Sequence, residues 1–110
     1  MLEIIQSDDF KAWHGGLRNK IARARISARI RLAGHGNLGD WKPLRDGISE
    51  MRIDVGPGYR LYFTRHGNTV VVLLCGGDKG KQDADIKRAI GLSKVWRGAS
   101  PSKEKSDAKS

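Results

Sequence analysis

At 110 residues the chain has room for one domain with a single core, and its 38% hydrophobic content and mean hydropathy of −0.52 are those of a water-soluble protein. One cysteine excludes an internal disulfide, three scattered histidines give no metal-ligand spacing, and no apolar run reaches the ~20 residues of a membrane span. Lysine and arginine number 21 against 12 acids, a net charge of +9 with a pI near 10.1, which favours an anionic partner (nucleic acid, an acidic protein or a membrane surface) over a basic surface kept for solubility.

The N-terminal stretch carries acids and a tryptophan and lacks a signal-peptide layout, so a cytoplasmic location is expected. Residues 2–6 form a short apolar run suited to an edge strand. Ser7 or Asp8 can cap a following helix by accepting backbone N–H bonds, with Phe10 and Trp13 on one face before Gly15-Gly16 ends it.

Residues 17–33 contain no breaker and predict the longest helix. Leu17, Ile21, Ala24, Ala28 and Leu32 form one apolar stripe, and Ala22, Ile26, Ile30 and Ala33 form a second, nearly opposite. Arg18, Arg25 and Arg29 line one flank; Lys20, Arg23 and Arg31 line the other. One stripe can be buried on the sheet. The second is then either free for a partner or covered by the first helix, folded back at Gly15-Gly16 as a hairpin.

Gly34 and Gly36 close that helix. Residues 34–47, GHGNLGDWKPLRDG, are polar, glycine-rich and too long for a simple turn. Here Lys42 and Arg45 beside Trp41 could hold a phosphate and stack a base, or Trp41 could pin the loop to the core.

Residues 47–81 carry the strongest pattern. Met51, Ile53 and Val55 alternate with Glu50, Arg52 and Asp54; after Gly56-Pro57-Gly58, Tyr59, Leu61 and Phe63 alternate with Arg60, Tyr62 and Thr64. A turn at His66-Gly67-Asn68 leads into residues 70–75, which lack polar positions and predict a middle strand covered on both faces, with Cys75 as a buried, inert thiol. Arg52, Arg60 and Tyr62 fall on the polar face of this meander. The turn Gly76-Gly77-Asp78-Lys79-Gly80-Lys81 lacks the Walker pattern, which argues against nucleotide binding. Residues 83–96 read as a final helix with Ile86, Ala89, Ile90 and Ser93 on one face, and residues 98–110 as a disordered polar tail after a folded domain of 1–97. The order β-α-α-β-β-β-α predicts an α+β fold, an antiparallel meander sheet with its helices on one face.

The runs GISEMRIDVGPGYRLYF and VVVLLCGGDKGKQDADIKRA, with RIRLAGHGNLGDWKPL upstream, resemble the addiction module killer protein branch of the RelE/ParE superfamily over residues 2–96. The resemblance implies the RelE-like fold, with two N-terminal helices on one side of an antiparallel sheet, and the toxin role in a type II toxin–antitoxin pair. RelE-like members cleave mRNA in the ribosomal A site without metal, whereas ParE-like members poison DNA gyrase, so the fold does not choose between them. The implied partners are mRNA, with the ribosomal A site as its setting, and a small antitoxin bringing a helix-turn-helix, the pair binding its own operator DNA. No cofactor or membrane is implied.

Metal-free RNA cleavage needs a base for the 2′-OH, cations for the charge growing on phosphate, and an acid for the leaving 5′ oxygen. By resemblance, Arg60 stands at the arginine of a G-Y-R motif, Arg52 at a catalytic-strand lysine, and Lys79 where RelE carries a further arginine. Asp54 replaces a second lysine, and the final helix lacks the tyrosine or histidine that relatives use as acid. The missing base or acid has to come from Asp54, Tyr62, His66, Lys79 or Lys81. Asp54 is either that base or a salt-bridge partner of Arg52 or Arg60. Lys42, Arg45, Trp41, Tyr62 and Lys81 are the expected RNA contacts.

Overall fold

The computed structural model describes residues 2–68 and 70–99, so the expected tail lies, from residue 100 onward, outside the described residues. The chain runs β1 (Glu3–Gln6), α1 (Asp8–Gly15), α2 (Lys20–Gly34), β2 (Trp41–Pro43), β3 (Ser49–Ile53), β4 (Tyr59–His66), β5 (Val70–Asp78), a 3₁₀ turn (Lys79–Lys81) and α3 (Gln82–Ala99). Ser7 starts α1 by accepting from the Phe10 backbone N–H at 3.0 Å, with Asp8 and Asp9 in the first turn. Asn19 does the same for α2 through the Ala22 N–H at 3.1 Å, so that helix begins three residues later than its apolar pattern predicts.

The five strands lie in the order β1-β5-β4-β3-β2. Neighbours from β2 to β5 are antiparallel, but β1 runs parallel to β5, with Glu3 opposite Val70. The sheet is therefore mixed, which corrects the wholly antiparallel reading. Chain leaving β1 passes through two helices before it rejoins the sheet, so no hairpin dictates the direction of β1. The run read as the middle strand is β5; it is interior and buried on both faces, while β4 holds the centre.

Residues 34–47 were expected as loop but contain β2. Asp46 (φ 53) and Gly47 (φ 77) make a tight reversal, closed by the Ile48 N–H donating to the Arg45 carbonyl at 2.9 Å, that pairs β2 with β3. Pro43 is tolerated because β2 is an edge strand.

Helices cover both faces of the sheet, not one. On one face Phe10, Ala22, Ile26 and Ala33 pack with Met51, Leu61, Phe63, Val71 and Leu73. On the other, Ala89 with Ile86, Ile90 and Trp96 of α3 packs on Tyr62, Val72, Leu74 and Cys75. The alternation of side chains along β4 and β5 supplies both surfaces. Gly76 and Gly77 let the two layers come close: a Cβ at Gly76 would lie 2.3 Å from the Trp13 ring, and one at Gly77 1.9 Å from Asp85 Oδ2. An Arg88–Asp9 ion pair of 2.6 Å ties α3 to α1 around the edge.

Of the two stripes on α2, Ala22, Ile26 and Ala33 are buried and Ile30 packs beside them. Ile21 (65% exposed) and Leu32 (46%) of the other stripe face outward, so α1 does not cover that stripe. Among the described residues no helix is long and apolar enough to cross a membrane.

Candidate functional site

The β3–β4 register sets Arg52 opposite Arg60 and Glu50 opposite Tyr62, all on the α3 side of the sheet. The turn after β3 brings a third cation to the same place. Gly56 (φ 57) and Gly58 (φ 86) adopt conformations closed to most residues, and the Lys79 N–H donates to the Gly58 carbonyl at 2.9 Å. The result is a cleft of about 290 Å³ lined by Arg52, Arg60, Lys79, Asp54, Asp40 and the Gly56-Pro57-Gly58 turn. All four residues expected to carry catalysis meet in it.

Both arginines already have carboxylate neighbours. Arg52 donates from Nε (3.3 Å) and a terminal nitrogen (2.8 Å) to Asp40 Oδ1, and this bond holds the Asp40 carboxyl below the usual carboxylate range. Arg60 Nε lies 3.6 Å from Oε1 of Glu50, which is only 2% exposed and also has Lys42 Nζ at 4.0 Å. Asp54 forms no ion pair among the described residues and is exposed, so the salt bridge considered for it from sequence is taken by Asp40 and Glu50 instead. No carboxylate lies within 4.0 Å of Lys79 among the described residues.

Arg29, assigned to a flank of α2 by its spacing, reaches through to hold the rim of this cleft. It donates to the carbonyls of Arg52 (2.7 Å), Leu38 (3.0 Å) and Asp40 (3.3 Å), fixing the loop that presents Asp40 to β3. A Cβ at Gly39 (φ 66) would sit 2.8 Å from that guanidinium, which accounts for glycine there. Burial lowers the Arg29 pKa, partly offset by Asp40. Neither Asp40 nor Arg29 is signalled by sequence periodicity, because their contact depends on how the 35–40 loop crosses the end of β3.

The expected RNA contacts divide. Lys42 is exposed on the α3 side beside Glu50, and Lys81 lies on the neighbouring groove of about 400 Å³ that shares Lys79 with the cleft. Arg45 is exposed but sits at the far turn, 3.8 Å from Asp46. Two assignments are corrected. Tyr62 is fully buried beneath α3, with its hydroxyl unpartnered and its pKa raised by burial and by Glu50, so it can neither stack a base nor donate a proton. Trp41 faces the opposite side of the sheet, 5.9 Å from the Phe63 ring, because its parity on β2 is opposite to that of Lys42. Cys75 is buried as expected, its thiol pushed up to about 12 by burial.

Asp85, not singled out in the sequence, stands over Gly77 with Oδ2 buried and unpartnered; desolvation raises its carboxyl pKa against the pull of Arg88 and Lys81. A carboxyl with a raised folded-state pKa binds its proton more readily folded than unfolded. Stability therefore falls as pH rises from ~4 through the raised value, then levels off. Asp85→Asn removes that loss, so its melting temperature relative to wild type should be higher at pH 7 than below pH 4. Thermal unfolding of both proteins across that range checks this; a difference independent of pH refutes it.

No protein-family model matches the chain. A Haemophilus influenzae protein described only as uncharacterized is 51% identical over 80 residues, which span 73% of this chain and 81% of that protein. With that identity and coverage across one compact α+β core, the chain belongs to the same family as the Haemophilus influenzae protein.

Proposed function

We propose that this chain is the toxin of a type II toxin–antitoxin pair, of the RelE/ParE superfamily, acting as a metal-independent mRNA endonuclease. The observation that carries this reading is the meeting of Arg52, Arg60 and Lys79 around one cleft of about 290 Å³. Three donors fixed on two strands and a short turn suit the charge that develops on a phosphodiester under attack. The 2′-oxygen would attack phosphorus, its proton passing to Asp54, and the P–O5′ bond would break to leave a 2′,3′-cyclic phosphate and a 5′-hydroxyl protonated from Lys79. The antiparallel β2–β5 sheet with α1 and α2 on one face supports a RelE-like fold. An antitoxin would neutralise the toxin, and the pair would bind its own operator DNA.

The second reading, a gyrase poison of the ParE type, draws on one feature: among the described residues no histidine or tyrosine lines the cleft, and Tyr62 is buried. Induction in cells, with transcript ends, protein synthesis and DNA breaks followed together, separates the two. The nuclease reading expects new transcript ends and arrested synthesis. Intact transcripts with gyrase-dependent breaks would overturn it.

A further inference from the structure

The cleft is close to electrically balanced although the chain carries a net charge of +9. Arg52, Arg60 and Lys79 contribute three positive charges, and Asp40 and Asp54 contribute two negative ones on the same walls. Glu50 stands behind Arg60 at 3.6 Å and is buried. Fixed carboxylates are an unusual lining for a site that would take any phosphate, because each repels anionic charge brought within a few ångströms. We propose, resting on the phosphodiester reading above, that Asp40 and Asp54 are specificity residues that admit a singly charged internal phosphodiester and reject doubly charged terminal phosphates and polyphosphates.

The geometry explains how both demands are met. Asp40 takes the Nε and one terminal nitrogen of Arg52 through a single oxygen, Oδ1, so the guanidinium keeps further N–H donors for a phosphate oxygen. Glu50 lies on the Nε side of Arg60, whose Nε is buried, while the side chain is 14% exposed and lines the cleft. Each arginine is thus held by a carboxylate and offers part of its fork. Lys79, with no such neighbour among the described residues, supplies the surplus charge. With Lys42 counted beside Glu50, four cations meet three carboxylates, and the one surplus positive charge matches one phosphodiester.

The test is binding at constant ionic strength and pH 8. Its probes are a deoxydinucleotide with one internal phosphodiester, which has no 2′-OH to react, the same dinucleotide bearing a 5′-terminal phosphate, inorganic phosphate and a nucleoside triphosphate. Wild-type protein should prefer the plain dinucleotide over its 5′-phosphorylated form by about tenfold. The preference should shrink near pH 5, where a monoester (second pKa ~6) loses its second charge. Asp40→Asn combined with Asp54→Asn should reverse the order. Tighter binding of the phosphorylated dinucleotide or triphosphate by wild type, an unchanged order in the double variant, or no diester binding at all would overturn the inference. Cleavage of a defined mRNA, assayed alongside, keeps the two readings apart. Cleavage without diester preference sinks only the inference, and diester preference without cleavage sinks only the nuclease.

Discussion

Arg60→Ala should lower RNA cleavage by about 10²–10³-fold, the usual cost of losing one preorganised donor at a transition state. The side chain is fixed from behind by Glu50 and fills a wall of the cleft, so its loss removes charge where it would develop. A structural effect has to be separated from this, because Glu50 would remain buried with only Lys42 at 4.0 Å. Removing one member of a buried pair can destabilise by ~3–5 kcal/mol, although the 3.6 Å spacing here points to the lower end. Arg60→Met combined with Glu50→Gln removes both charges and should recover stability in urea while leaving cleavage depressed. Recovery of cleavage along with stability would show that Arg60 acts only through the fold.

A comparable effect on folding should follow Gly76→Ala. The added Cβ would lie 2.3, 2.4 and 2.7 Å from three atoms of the Trp13 ring. That ring cannot swing away cheaply, since it is wedged between Phe10 at 5.7 Å and Tyr59 at 6.1 Å, and Phe10 is fully buried. Either α1 lifts from the sheet or β5 shifts, and overpacking of this kind typically costs ~1–3 kcal/mol. For a domain of this size that is a fall in melting temperature of about 4–8 °C per kcal/mol. Gly91→Ala is the contrasting case. It lies in α3 with nothing within 4 Å of a new Cβ, so it should stabilise by roughly 0.4–1 kcal/mol. Equal melting temperatures for Gly76→Ala and wild type would mean that the Trp13 contact is not rigid.

The parts of the fold legible in the sequence are those with a repeating local cause. Alternation along 50–64 marks β3 and β4, the apolar run marks β5, and Ile86, Ala89, Ile90 and Ser93 mark the inner face of α3. Ser7 announces a helix start in the same way. The direction of β1 is not written locally, because nothing in EIIQ distinguishes a parallel from an antiparallel partner. Nor could α2 reveal which of its apolar stripes is inward, since both are of similar width. Strand β2 is too short for alternation to register, yet its Asp46-Gly47 reversal was a usable signal of a hairpin there.

At the candidate site, parity along the strands was enough to group Arg52 with Arg60, whereas Lys79 was placed with them only by the family resemblance, since its bond to the Gly58 turn is not written in the sequence. Tyr62 shares that parity but lies under α3, a burial that only the path of the last helix decides. Trp41 follows from the register of β2, which its neighbours alone could not set. Asp40 and Arg29 needed the loop geometry itself.

The parallel docking of β1 on β5 also dictates when the molecule can exist. Ser7 bonds Leu74 across 67 positions, and Lys79 is joined to the Gly58 turn only at the end of β5. At ~5–20 residues per second of synthesis, the first strand must wait about 3–14 seconds for its neighbour to be made. A nascent chain still short of that neighbour has neither a complete sheet nor a finished cleft. Whatever the cleft does, it begins only after β5 and the turn that follows it have been made.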